Sequence, residues 1–207
     1  FLQQVGENSP QHQEIICWFK TLPVFLELPG FRAVHACWHC KYLDELAPRL
    51  DEKNRLKDDA WLPASRKGHP VYAAVETLLK GLEIPLPDGE QFHDKDGYAR
   101  TDIRTRWWLQ HTHTYRDLAM VPADVIERIP HQPVPSGILP GYDNQKPLFV
   151  GHYWLTGDPA PLADQIACLD YSVVSARQGK LVAYRWDGKP LSKENYIWVA
   201  RTEKNSP

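Results

Sequence analysis

Residues 146–155 read KPLFVGHYWL. Leu148, Phe149 and Val150 make a short unbroken apolar run, the pattern of a strand buried on both faces. The run stops on Gly151, which allows a sharp turn or a close backbone approach, and the next residue is an imidazole, His152. A second stretch has the same shape: residues 31–39, FRAVHACWH, run as a strand to His35. Histidines at strand ends followed by loop are the arrangement in which open α/β sheets build their sites. Neutral imidazole is also a common metal ligand. Either histidine alone reads as a hydrogen-bonded structural residue; the matched pair reads as function.

Around these two stretches the chain alternates in type. Residues 11–20 carry Ile15, Ile16 and Phe19 at helical spacing, and Pro23 closes that helix. Residues 24–28, VFLEL, and 31–37, FRAVHAC, form a hairpin around Pro29-Gly30. A helical or capping stretch follows, and residues 68–82 make a clearer helix with Val71, Val75, Leu78 and Leu79 on one face and Gly81 at its end. Residues 84–102 read as a loop with turns at Asp88-Gly89 and Asp96-Gly97. Residues 103–109, IRTRWWL, alternate as an extended segment with Arg104 and Arg106 on one face and Ile103, Thr105 and Trp107 on the other. Residues 121–145 are Pro-rich, without period and surface-like. Four strands close the chain, PLFVGH, IACLDYSVV, KLVAYRW and YIWVA. The pattern predicts one domain over 1–207, an α/β core of strand-rich ends with a lid-like helical and loop insertion over 48–145.

The totals narrow the function classes. At 207 residues with 43% hydrophobic content the chain can build a core. A net charge of -2 with no Lys/Arg run argues against nucleic acid as a partner. No apolar run approaches the roughly 20 residues that span a bilayer, which argues against a membrane partner. Four cysteines are too few for a disulfide-stapled domain, so reduced thiols and a cytoplasmic setting are expected. The chain opens on Phe1 within a stretch that reads like the interior of a longer protein, so a fragment or processed chain is expected.

Other groups compete for a chemical role. Cys37-x-x-Cys40 follows a strand and precedes a helical stretch, the layout of a dithiol site in which a helix N-terminus lowers a thiol pKa. His35, Cys37, His39 and Cys40 could instead bind zinc, with Cys168 and His152 as a second, distant pair. The plain alternative, two small half-buried residues, is preferred for the C-x-x-C. Arg104 and Arg106 offer planar donor forks to a phosphate or, equally, partners for surface carboxylates. Trp107, Trp108, Tyr153 and Trp154 could line a cleft, though core packing explains them more simply. His111 and His113 at i, i+2 read as solvated loop.

The ordered set FRAVHACWH, a long variable middle, KPLFVGHYW and CLDYSVVSARQGKLVAYRW resembles the C-terminal half of calcineurin-like metallophosphoesterases, in the bacterial branch related to protein phosphatases and bis(5'-nucleosyl)-tetraphosphatases. The resemblance covers about residues 15–45 and 146–199. It implies a sandwich of mixed sheets flanked by helices and a dinuclear centre of Mn, Fe or Zn, with His35 and His152 ligating one ion. Tyr171 would then sit near a phosphorylated substrate, and Arg106 would be a weaker phosphate contact. Two departures stand out. Trp154 occupies a position where many relatives in the broad superfamily carry a second ligand histidine, and the family's Asp-x-His, GDxxDRG and GNHE motifs are absent. Those motifs, with the general acid, would precede Phe1. The resemblance therefore implies a hydrolase whose 207-residue portion is inactive alone, partnered by an N-terminal half of the same protein or self-associating. The competing readings are a thiol-disulfide oxidoreductase using Cys37 and Cys40, and a non-catalytic binding module.

Overall fold

A computed structural model of the chain describes residues 1–94, 97–110, 113–174 and 179–201. The elements run α1 (Leu2–Val5), α2 (Pro10–Phe19), β1 (Phe25–Glu27), β2 (Arg32–Val34), α3 (Cys40–Leu46), α4 (Trp61–Ser65), α5 (Pro70–Lys80), β3 (Glu83–Pro85), β4 (Phe92–His93), β5 (Ala99–Arg100), β6 (Asp102–Arg104), α6 (Tyr115–Leu118), β7 (Leu148–Val150), β8 (Ile166–Cys168), β9 (Asp170–Tyr171), β10 (Lys180–Tyr184) and β11 (Tyr196–Ala200). The protein is mixed α/β.

The apolar run of β7 takes the place its composition demands. The main sheet has the order β1-β2-β7-β8, so β7 lies inside it, parallel to both neighbours. The two faces of β7 meet different layers. Leu148 and Val150 join Val34, Ile166 and Cys168 in a large core with Leu46, Ala74 and Leu78 from the helices α3 and α5. Phe149 and Ala167 point the other way, against Tyr196, Val182 and Tyr184 of the antiparallel β11-β10-β9 sheet. A central strand apolar on both sides is thus sandwiched between a helical layer and a second sheet. The Pro29-Gly30 hairpin forms as read, with Phe25 opposite Val34 and Glu27 opposite Arg32.

The segment between the two histidine strands shares that core. Ile103, Trp107, Leu118 and Ile129 are fully buried in it. The predicted alternation holds over 103–107, with Ile103, Thr105 and Trp107 inward and Arg104 and Arg106 more exposed, but it does not reach 109: β6 ends at Arg104, residues 107 and 108 turn, and Trp108 is buried beside Trp107. Helix α5 starts at Pro70, where a ring lacking N–H costs nothing, and the His69 side chain caps it by accepting from the Val71 N–H. It ends at Gly81, φ 93°, as the sequence predicts.

Three expectations need correction. Residues 84–102 are not a plain loop: β3 pairs with β6, and β4 with β5, while Asp96 of the expected Asp96-Gly97 turn lies outside the described residues. The Pro-rich stretch 121–145 is not wholly superficial, because Val125 and Ile129 reach the core. Helix α2 forms over Pro10–Phe19 but buries none of its residues, and Trp18 and Phe19 stay exposed. Among the described residues no helix is long and apolar enough to cross a membrane.

Candidate metal centre

Strands β2 and β7 are parallel neighbours, so both histidines leave the sheet at the same, carboxyl, end. Although 117 positions separate the loops in sequence, the His35 and His152 rings stand with centroids 5.3 Å apart, edge to face. Two hydrogen bonds between the loops hold them there. The Gly151 N–H donates to the His35 carbonyl at 2.9 Å. The Tyr153 hydroxyl donates to the Ala36 carbonyl at 2.9 Å, and the Trp107 indole N–H donates to the Tyr153 oxygen at 2.7 Å. From below, the Leu78 carbonyl in the last turn of α5 accepts from the Ala36 and Cys37 N–H groups, giving a partner to a carbonyl that the helix end would otherwise leave unmet.

The sharp turn falls one residue later than the sequence suggests. Gly151 does not have positive φ, and a Cβ there would lie 3.6 Å from the His35 carbonyl, an ordinary contact. His152 itself takes φ 69°, with the Tyr153 N–H closing back onto the Gly151 carbonyl at 2.9 Å. This is a three-residue turn of the strained hand, and Trp154 follows at φ 49°. Strain of this kind persists where the surroundings over-determine it, and it clusters at functional sites. Gly81 is the glycine that the site requires. Its φ is positive, and a Cβ would meet the Tyr153 hydroxyl at 3.1 Å.

His35 is exposed and His152 half-buried. Desolvation pushes the His152 pKa down, and the neighbouring Arg104 charge and His35 push it further the same way. All three influences favour the uncharged ring. One nitrogen of His152, Nε2, lies 3.2 Å from Arg104 Nη1. Register brings that arginine in: β6 pairs with β3 so that Arg104 faces Glu83, and its Nη2 donates to the Glu83 carboxylate at 3.0 Å.

Two cavities flank the pair. A cleft of about 540 Å³ is lined by Arg104, Arg106, His152, Trp154 and Thr156 among others. An apolar groove of about 710 Å³, walled by Phe19, Phe25, Leu26, Trp61 and Leu79, opens beside His35. Arg106 is exposed on the cleft, and among the described residues no ion pair engages it. Tyr171 sits elsewhere: it is buried at the end of β9, and its hydroxyl accepts from the Ala160 N–H at 3.1 Å. Trp107, Trp108 and Tyr153 are core, as packing predicts, and Trp154 is the exposed one of the four.

The two thiols of the C-x-x-C part company. Cys37 is fully buried, and desolvation drives its pKa far up, against thiolate formation. Cys40 is exposed at the start of the seven-residue α3, and both are free thiols. The His35–Cys37–His39–Cys40 stretch does not assemble a zinc site; among the described residues no group of three or more His, Cys, Asp or Glu side chains is placed to hold a metal. His111 lies outside the described residues, and His113 bonds through its ring to the Gln110 carbonyl. For a divalent ion of the Mn, Fe or Zn type, the donor set at the strand ends fits as two imidazole ligands and supplies no third.

No protein family, curated protein or solved structure matches the chain.

Sequence reasoning found both histidines and overlooked the residues that hold them. Tyr153 and Trp107 read as core aromatics, and their hydroxyl and indole N–H carry the brace. Arg104 and Arg106 were equivalent by alternation. What separates them is the β3–β6 register, which the loop-like sequence 84–102 does not announce.

Proposed function

We propose that this chain contributes the paired-histidine part of a metal-dependent phosphoester hydrolase, with His35 and His152 gripping one divalent ion. The observation that supports it is the convergence of the two imidazoles at the carboxyl ends of adjacent parallel strands, 5.3 Å apart and braced by backbone-directed hydrogen bonds. A bound divalent ion in such a site lowers the pKa of its water and offsets charge developing on a phosphoryl oxygen.

The chain's own residues would then divide the work. His35 and His152 present ring nitrogens at the strand ends. Tyr153, Trp107 and Gly151 keep the rings together. Arg106, exposed on the 540 Å³ cleft and engaged by no ion pair among the described residues, offers a guanidinium fork to the oxygens of a phosphorylated substrate. Trp154 gives the cleft an apolar wall. The resemblance assigns a second ion and the general acid to motifs that the 207 residues do not contain. Two imidazoles leave most coordination positions to water, so affinity is modest and turnover by this chain alone is not expected.

Titration of the 207-residue protein with Co²⁺, read by visible absorption and calorimetry, tests this. One ion per chain is expected, with affinity falling at least about tenfold in His35→Ala and in His152→Ala. Binding that neither substitution weakens would sink the reading. The same protein with Mn²⁺ should leave p-nitrophenyl phosphate uncleaved, and robust metal-dependent turnover would contradict the assignment of the remaining ligands elsewhere.

A further inference from the structure

We infer that Arg104 is an internal competitor for the metal ligand His152: it holds the ring in a form that cannot coordinate, and it must swing away before an ion can bind. The inference rests on the reading of His152 as a ligand.

Tautomer chemistry carries the first step. A guanidinium has donors and no acceptor. The 3.2 Å contact between Arg104 Nη1 and His152 Nε2 is therefore a hydrogen bond in which Nε2 accepts. A neutral imidazole has one lone pair in the ring plane and one N–H. With Nε2 accepting, the proton sits on Nδ1. Neither nitrogen is then open to an ion: one lone pair is taken by Arg104, and the other nitrogen is protonated. Coordination through Nε2 requires Arg104 to leave. Coordination through Nδ1 requires the proton to move to Nε2, where it would face the Arg104 donor.

The second step is that Arg104 is poorly settled where it is. Its Nη2 is anchored on Glu83, but its buried Nε has no hydrogen-bond partner among the described residues. A buried donor left without a partner loses its hydration with nothing in exchange, so the docked position is a compromise that a better arrangement can displace. Space for that arrangement exists. Arg104 lines the same 540 Å³ cleft as Arg106 and Thr156, and swinging into it solvates the orphaned Nε and keeps the guanidinium on the face where an anion would arrive. Metal entry and the release of Arg104 toward the cleft are thus a single exchange at one nitrogen.

The sign of the effect makes the test sharp, because damage to a site weakens binding and removal of a competitor tightens it. Arg104→Met keeps the aliphatic stem and deletes the donors. Arg106→Met removes a charge from the same cleft without a contact to His152, and so controls for a general loss of positive charge there, while the tautomer measurement below isolates the hydrogen bond. Titrated with Co²⁺, Arg104→Met should bind about fivefold tighter than the unaltered protein, the equivalent of one released hydrogen bond, with Arg106→Met within about twofold. Separately, the ring-nitrogen shifts of His152 in the metal-free protein, read by long-range ¹H–¹⁵N correlation, should report the Nδ1–H tautomer. They should change toward the Nε2–H tautomer in Arg104→Met.

Equal or weaker binding by Arg104→Met than by Arg106→Met overturns the competitor role, as does an Nε2–H tautomer in the unaltered protein. Failure of the underlying reading looks different: Co²⁺ binding that is absent, or that His152→Ala leaves untouched, removes both proposals together.

Discussion

Arg32 and Arg104 stand at opposite ends of the strands that carry the two histidines, and they are held in contrasting ways. Arg32 opens β2 at the amino end of the sheet. It is 7% exposed, its Nε donates to Glu27 at 3.0 Å, its Nη1 donates to both Asp143 oxygens at 2.8 Å, and its guanidinium lies 4.8 Å over Trp38. Arg104, at the carboxyl end, leans on an imidazole and one half-exposed carboxylate, and its Nε has no partner among the described residues. The amino end ties the Pro-rich 121–145 stretch and the β1–β2 hairpin to the sheet. The carboxyl end gathers left-handed turns, a lowered histidine pKa and open clefts. A satisfied arginine is structure; an arginine with an orphaned donor beside a potential ligand is a movable part.

The contrast breaks if the two arginines prove equally important to stability. Arg32→Met leaves two carboxylates facing a vacated pocket and loses the stack on Trp38. A cost of about 2–3 kcal/mol is expected, reduced from the fully buried case because Glu27 and Asp143 keep some solvent. Arg104→Met should shift stability by no more than about 0.5 kcal/mol, because its one ion pair is partly exposed. Urea denaturation of both variants compares them directly, and a larger loss for Arg104→Met would invert the picture.

A second substitution asks how rigid the carboxyl end is apart from its arginine. Gly81→Ala places a Cβ at 3.1 Å from the Tyr153 hydroxyl and forces alanine into φ 93°. About 1–2 kcal/mol of destabilisation is expected, together with weaker Co²⁺ binding as the Tyr153–Ala36 brace shifts. A neutral Gly81→Ala would show that the brace does not depend on that close approach.

The smallest effect concerns acid. Burial alone would raise the Glu27 and Asp143 pKa values, yet their hydrogen bonds and ion pairs to Arg32, with Lys146 beside Glu27, hold both below the ordinary carboxylate range. Their folded pKa values are depressed relative to the unfolded chain. Their contribution is therefore present above about pH 4 and is lost as pH falls through the folded values. Stability measured between pH 6 and 3 should decline in the unaltered protein and decline less steeply in Arg32→Met. Identical slopes would separate the acid response from this clasp.

Much of the frame was legible because it is local. The run Leu148-Phe149-Val150 announced a strand covered on both sides, Pro70 and Gly81 bracketed α5, and alternation sorted Ile103, Thr105 and Trp107 from Arg104 and Arg106. Strands β3, β4 and β5 escaped notice because two- and three-residue strands carry too few positions to show a period. The strained turn was misplaced by one residue for a related reason. Glycine is the usual signal of positive φ, and here the surrounding hydrogen bonds impose it on His152 instead.

By itself the sequence determined that two imidazoles would close two buried strands, because apolar runs and turn residues act over a few neighbouring positions. Whether those imidazoles would meet depended on β2 and β7 lying side by side and parallel, a pairing between segments more than a hundred residues apart. Which arginine reached His152, and which tyrosine braced it, depended on register and packing across that distance. Such choices are made by the burial of whole layers against one another, and no short stretch of chain contains them.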